Sequence, residues 1–118
     1  MNYKFGDLIL VDFPFSGANG IKKRPAVVIS AKNFNDSQVD LIMMAITSKI
    51  SSLSIGEGII SDWQDAGLLK ESALKSVIFT IEKDFTYKQL GKLSENDINT
   101  LKSCLSVIFN DLGNFNGS

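Results

Sequence analysis

The chain has 118 residues, 44% of them hydrophobic, and a net charge of −1 at pH 7, which fits one globular domain and excludes both a disordered chain and a strongly basic protein. Cys104 is its only cysteine, so no disulfide can form within the chain, and with no signal peptide this predicts a cytoplasmic protein. The longest apolar runs, Leu8–Val11 and Leu41–Ile46, are too short to cross a bilayer, so no membrane association is expected.

The chain opens with two predicted strands joined by a polar loop. Residues 8–13 are strongly β-prone, and the strand ends at Pro14. Residues 16–23 contain two glycines and predict a hairpin-type loop. Pro25 suits the first residue of the second strand, where no ladder donor is needed, and Ala26–Ile29 continues it.

The middle of the chain continues with short β-prone segments. Residues 33–36 predict a turn, and residues 39–46 a buried strand. A second polar loop covers residues 48–54, and a weaker strand covers residues 55–60. Residues 62–67 predict a short helical turn that ends at glycine.

Residues 73–81 return to β character, and the chain then ends in a helix. Ser94 is the predicted N-cap, and Asp97 three residues later fits a variant of the capping box. Gly113 suits the C′ position, and residues 114–118 are expected to fray. Cys104 is interpreted as a core thiol. One apolar stripe along the helix contains Ile98, Leu101, Leu105, Ile108 and Leu112.

Five or more short strands with one late helix predict a mostly β domain over residues 1–113, a strongly bent sheet or closed barrel capped by the helix.

The charge pattern is consistent with one positive face. Residues 13–35 contain four basic and no acidic residues, and Lys49 is the one charged residue of residues 41–56. The alternative is ordinary solvation of the surface.

Few side chains are suited to catalysis, because the chain has no histidine and no cysteine cluster. Arg24, the only arginine, lies between a polar loop and a strand, and a planar guanidinium suits a phosphate. Thr47 and Ser48 end a buried strand and can donate hydrogen bonds to a phosphate oxygen. Trp63 can stack on a base, although a core position is the more common role. Taken singly, each of these is weak evidence.

Several segments together resemble the MazF/PemK family of toxin endoribonucleases, a group that includes Kid-like toxins. Three of them occur in the family's order, over its opening strand, its arginine–proline strand and its third signature. The match extends over about residues 6–112. The matching segments are GDLILVDFPFS at 6–16, KRPAVVIS at 23–30, AITSK at 45–49, AGLLK at 66–70 and LGKLS at 90–94.

The resemblance implies an SH3-like β-barrel with a C-terminal helix, a homodimer, and single-stranded RNA bound across the dimer face. It implies a toxin of a toxin–antitoxin pair that cleaves RNA without a metal or cofactor, leaving a 2′,3′-cyclic phosphate and a 5′-hydroxyl. The antitoxin is expected to contribute a segment that folds on binding. Asn19 and Ser76 stand where some relatives carry a glutamate and a catalytic aspartate.

The same resemblance places the catalytic arginine and threonine of the family at Arg24 and Thr47. The 2′-hydroxyl of RNA can attack the adjacent phosphate, so the protein needs only to align the attack, stabilise charge and move protons. Arg24 is expected to stabilise the charge and Thr47 to donate to the phosphate. The residues expected to bind the RNA backbone are Lys22, Lys23, Ser48 and Lys49.

Two alternatives remain open from the sequence. One is a toxin of the same fold that poisons DNA gyrase by protein contact, although its relatives use an aromatic C-terminal end and here the last aromatic is Phe115 in the predicted tail. The other is a noncatalytic RNA-binding barrel. Product formation from labelled RNA distinguishes the three.

Overall fold

The computed structural model describes residues 2–13 and 22–113, so the tail at 114–118 and most of the loop predicted at 16–23, including Asn19, lie outside them. The last two residues of that predicted loop belong to a strand. Six strands and two α-helices form in the described residues. Two 3₁₀ turns, Lys83–Phe85 and Asn110–Leu112, accompany them. The main elements are β1 (Asp7–Phe13), β2 (Lys22–Val28), α1 (Lys32–Ser37), β3 (Asp40–Thr47), β4 (Gly58–Ile60), β5 (Ser72–Glu82), β6 (Thr86–Lys92) and α2 (Glu95–Ile108).

The strands form one antiparallel sheet in the order β4-β5-β3-β2-β1-β6. The long β5 pairs with both β3 and the three-residue β4. Register shifts in the β1–β6 and β3–β5 ladders mark irregular pairing of the kind that bends a sheet. The predicted architecture, a strongly bent sheet with one late helix, is confirmed.

Side chains alternate between two buried clusters, because successive residues of a strand point to opposite faces. Leu8, Val27 and Met44 belong to the cluster that also contains Leu101 and Cys104 of α2. The second cluster alternates with it along the same strands and includes Ile9, Ala26, Val28, Met43 and Phe79. Cys104 is 5% exposed, so its interpretation as a core thiol is confirmed.

The start of α2 is fixed by side chains on both sides of the cap. The Ser94 hydroxyl accepts from the amide of Asp97 at 3.2 Å, which confirms the predicted N-cap. The Asp97 carboxylate does not complete a capping box. It is fully buried and accepts from the amides of Ser61 at 2.9 Å and Asp62 at 2.8 Å, so it ties the turn at 61–67 to the helix.

Several predicted boundaries are wrong. The turn predicted at 33–36 is the helix α1, in which the buried Asn35 amide donates to the carbonyls of Tyr3 and Ser30. The strand predicted at 55–60 is limited to β4, and Ile55 is 83% exposed. Pro25 is not the first residue of β2, but it precedes the β2–β3 ladder, which runs over residues 26–28.

The C-terminal stripe is shorter than predicted, and one strand has no counterpart in the prediction. α2 ends at Ile108, Leu112 is 70% exposed, and Gly113, with φ 78°, ends a 3₁₀ turn rather than the helix. The missing strand is β6, whose sequence TYKQLGK is mostly polar and exposed. In the part of the chain that the structure describes, no helix is long and apolar enough to span a membrane.

Candidate nucleic-acid interface

A cavity of about 610 Å³ opens among the ends of β2 and β3, the residues that follow the turn at 61–67, and β6. Apolar side chains from these four regions and from β1 line it, namely Leu10, Pro25, Ile46, Leu68, Leu69 and Leu90. Four cationic side chains also line it, namely Lys23, Arg24, Lys70 and Lys88. Among the described residues that line it none is acidic, so the cavity presents positive charge next to apolar surface.

Two walls of this cavity meet through a close backbone contact. Gly67 has φ +90°, and a Cβ there would lie 2.1 Å from the carbonyl oxygen of Leu90. A Cβ at Gly91 would likewise lie 2.3 Å from the carbonyl oxygen of Ala66. Because both positions are glycine, the residues after the turn can lie against β6, which brings Lys70 and Lys88 to the same cavity.

Arg24 lies on β2 opposite Val11 of β1 and lines the cavity. Its side chain is exposed and forms no ion pair with any described residue. The β2–β3 ladder ends at the pair Ala26–Ala45, so Arg24 lies beyond its paired residues. Arg24 therefore presents a guanidinium that a phosphate can approach.

Thr47 is the last residue of β3 and is half-buried. Its hydroxyl oxygen accepts a hydrogen bond from the amide of Lys49 at 3.1 Å. This bond uses a lone pair and leaves the hydroxyl proton for donation to another acceptor. Thr47 itself is not among the residues that line the cavity, whereas its neighbour Ser48 is.

The three predicted lysines are placed differently. Lys23 lines the cavity, and its ammonium nitrogen lies 4.3 Å from the centroid of the Tyr87 ring. The Tyr87 hydroxyl donates to Asp12 Oδ1 at 2.6 Å, and this hydrogen bond raises the pKa of Tyr87. Lys22 and Lys49 are exposed but do not line the cavity.

Two cationic residues of the cavity, Lys70 and Lys88, were not predicted from the sequence. Lys70 and Lys88 lie in segments where acidic residues are also present, such as Glu71 and Asp84, so no basic cluster is visible there. They meet in space because the backbone contact between the glycines joins their segments. The sequence feature that could have indicated this contact is the glycine in each of the AGLLK and LGKLS segments, Gly67 and Gly91.

Ser76 does not line this cavity. Its amide and hydroxyl both donate to Glu57 Oε2, at 3.0 and 3.1 Å, and the amide of Ser54 donates to Glu57 Oε1 at 2.9 Å. These amide hydrogen bonds hold the pKa of Glu57 below its usual value. Glu57 therefore fixes the end of the second polar loop to β5, and Ser76 is its partner.

Two further features concern Trp63 and the acidic side chains. Trp63 is partly buried against the cluster that contains Leu101, in agreement with its alternative as a core residue. Within residues 2–13 and 22–113, no three His, Cys, Asp or Glu side chains gather in a way that could hold a metal ion.

This chain resembles known proteins in sequence, through a family model, and in fold, through solved structures. The family model described as "PemK-like, MazF-like toxin of type II toxin-antitoxin system" matches residues 4–109. Comparison with curated proteins gives no match.

Solved structures share the fold at low sequence identity. An endoribonuclease from a mycobacterial species, in complex with its cognate antitoxin, is 16% identical, with a TM-score of 0.73 over 91% of this chain and 94% of that one. A second mycobacterial endoribonuclease is 14% identical, with a TM-score of 0.74 over 93% of each chain. The Mycobacterium tuberculosis toxin MazF-mt6 is 18% identical, with a TM-score of 0.71 over 88% of this chain and 96% of that one.

Proposed function

Since the chain belongs to the family of PemK-like, MazF-like toxins of type II toxin–antitoxin systems, we propose that it is a metal-independent, sequence-specific endoribonuclease that cleaves single-stranded RNA. The observation that carries this proposal is the cavity lined by Lys23, Arg24, Lys70 and Lys88, with no acidic residue among its described lining. Such a surface suits a polyanion with apolar bases. The structural neighbours described as endoribonucleases add support for the same activity.

Cleavage needs no protein nucleophile in this scheme. The 2′-hydroxyl of the RNA attacks the adjacent phosphorus, the bond to the leaving 5′-oxygen breaks, and a 2′,3′-cyclic phosphate and a 5′-hydroxyl result. The 2′-hydroxyl loses its proton and the leaving oxygen gains one. Negative charge increases on the phosphate during the attack, so donors placed beside it accelerate the reaction.

Arg24 is the residue that we assign to this charge. Its guanidinium is exposed, lines the cavity and has no carboxylate partner among the described residues. A planar fork of donors can bind two oxygens of one phosphate at once. Thr47, whose neighbour Ser48 lines the cavity, would donate its free hydroxyl proton to the same group.

The remaining predicted residues would hold the RNA backbone. Lys23 and Ser48 line the cavity, and Lys70 and Lys88 join them as further phosphate ligands. Lys22 and Lys49 are exposed next to Lys23 and Ser48 in the chain, so they would extend the positive surface beyond the cavity. Charge of this kind gives affinity that falls as salt increases.

Two partners complete the proposal. A homodimer would cover apolar surface, and light scattering at micromolar concentration should then report about twice the chain mass of 12.9 kDa. An antitoxin encoded beside the gene would neutralise the enzyme in the cytoplasm through an acidic segment that folds on the basic surface. One structural neighbour is a complex with its cognate antitoxin.

The experiment is cleavage of end-labelled single-stranded RNA in excess EDTA, with the termini of the products identified. We expect cleavage with cyclic phosphate and 5′-hydroxyl ends. Activity that disappears in EDTA and returns with magnesium would contradict metal independence. RNA that is bound but left intact would favour a noncatalytic barrel, and intact RNA with inhibited gyrase would favour the gyrase-poisoning alternative.

A further inference from the structure

Asp12 and Lys23 face each other across the β1–β2 ladder, yet they form no ion pair. Each is held by Tyr87 instead. The Tyr87 hydroxyl donates to Asp12 Oδ1 at 2.6 Å, and the Lys23 ammonium lies 4.3 Å from the centroid of the Tyr87 ring. One tyrosine of β6 therefore contacts both of the opposite charges that the register of the sheet brings together.

This arrangement matters because Lys23 lines the cavity. Opposite charges on facing strand positions normally attract each other. An ammonium that pairs with a carboxylate attracts a third group, such as a phosphate, less strongly, because the two charges partly cancel. An ammonium held over an aromatic face keeps its full charge, because the ring is neutral. A carboxylate that accepts a hydroxyl hydrogen bond attracts the neighbouring cation less strongly.

We propose that Tyr87 is a positioning residue for RNA binding, which keeps Lys23 available to a phosphate by engaging Asp12 through its hydroxyl and Lys23 through its ring. The inference rests on the proposed function and assigns to this site a residue that is not itself among those that line the cavity. Without Tyr87, Asp12 would form an ion pair with Lys23, and the cavity would lose one of its four cations.

The test measures the affinity of the full chain for single-stranded 2′-O-methyl RNA, which lacks the attacking hydroxyl, at several salt concentrations. Tyr87→Leu removes both the ring and the hydroxyl. Loss of one phosphate contact lowers the salt slope by about 0.7 and the affinity by about fivefold at 0.1 M salt. Tyr87→Phe keeps the ring and should fall between Tyr87→Leu and the wild type.

The decisive variants involve Asp12. Asp12→Asn removes the competing charge, so Asp12→Asn in the Tyr87→Leu background should restore most of the lost affinity and slope. Lys23→Ala should reduce affinity in the wild type but add nothing in Tyr87→Leu, because Lys23 is already withdrawn there. A tyrosine with a structural role alone would show neither the rescue nor this non-additivity.

Tyr3→Phe is the matched control. The Tyr3 hydroxyl shares a hydrogen bond of 2.7 Å with Thr86, and the Lys83 ammonium lies 5.9 Å from its ring, but neither Tyr3 nor Lys83 lines the cavity. Tyr3→Phe should bind RNA as the wild type does. Wild-type affinity and slope in Tyr87→Leu, or a loss that Asp12→Asn leaves unchanged, would overturn the role of Tyr87. A wild-type protein with no salt-dependent RNA affinity would instead overturn the proposed function, and with it this role.

Discussion

Gly67 and Gly91 bring the turn at 61–67 and strand β6 into direct backbone contact. A Cβ at Gly67 would lie 2.1 Å from the carbonyl oxygen of Leu90, and one at Gly91 would lie 2.3 Å from the carbonyl oxygen of Ala66. No side chain can be placed at such distances without moving the backbone. The contact joins the segments that carry Lys70 and Lys88, so it shapes the cavity as well as the fold.

Gly91→Ala should therefore lower the free energy of unfolding by about 1–3 kcal/mol, the usual cost of forcing an extra methyl group into a packed site. Gly67→Ala should cost more, because φ +90° adds conformational strain of about 1–2 kcal/mol. Gly113→Ala is the control for strain alone, since φ is +78° and no atom of the described residues lies within 4 Å of the added Cβ. Urea unfolding measures all three, and a Gly91→Ala variant as stable as the wild type would contradict the contact.

Asp97 supplies a second link between the turn and the rest of the molecule. Asp97→Ala leaves the amides of Ser61 and Asp62 without their acceptor, which should lower the free energy of unfolding by about 1–3 kcal/mol. Asp97→Asn keeps one acceptor oxygen and should lose less. Glu95→Ala, an exposed neighbour in the same helical turn, is the control in thermal melts. Equal stability of Asp97→Ala and Glu95→Ala would show that these hydrogen bonds contribute nothing.

Lys70 and Lys88 provide a test of the cavity as an RNA surface. Lys70→Ala and Lys88→Ala should each weaken RNA binding and reduce its salt slope by about 0.7, because each removes one phosphate contact. The cleavage rate at saturating RNA should change little. Lys102→Ala, on the exposed part of α2, should leave both affinity and slope unchanged. If Lys102→Ala weakens binding as much as the cavity variants do, affinity comes from overall charge rather than from the cavity.

The sequence predicted the core of this fold better than its edges. Runs of apolar, β-prone residues identified β1, β3 and β5, and the spacing of Ile98, Leu101 and Leu105 identified α2, because burial imposes these patterns. β6 was missed since its exposed, polar residues carry no such pattern. Its pairing with β1 is set by the sheet rather than by its own propensity.

The same limit applies to the candidate site. Arg24, Lys23 and Ser48 were predicted because they lie in the segments that carry the family resemblance. All three line one cavity. Lys70 and Lys88 come from distant segments whose meeting depends on a backbone contact, which no local pattern reports. The contacts of Tyr87 with Asp12 and Lys23 likewise depend on how β1 pairs with both β2 and β6.

Thr47 can be tested apart from the lysines. Thr47→Val keeps the shape of the side chain and removes the hydroxyl, so it should lower the single-turnover cleavage rate by about tenfold, the effect of one neutral hydrogen bond of about 1.4 kcal/mol. Thr47→Ser keeps the hydroxyl and should retain most of the rate. Thr80→Val on β5, an exposed threonine outside the cavity, is the control. A Thr47→Val variant with the wild-type rate and melting temperature would remove Thr47 from the mechanism.

The most direct test of the account is the single-turnover rate of RNA cleavage by Arg24→Ala in excess EDTA, at saturating protein. Arg24 is exposed and forms no ion pair with a described residue, so the variant should melt as the wild type does. Loss of its charge stabilisation should slow cleavage by about 10²–10³-fold, and Arg24→Lys should recover only part of the rate because an ammonium lacks the planar fork. An Arg24→Ala protein that is folded and cleaves at the wild-type rate would contradict the assignment of this site.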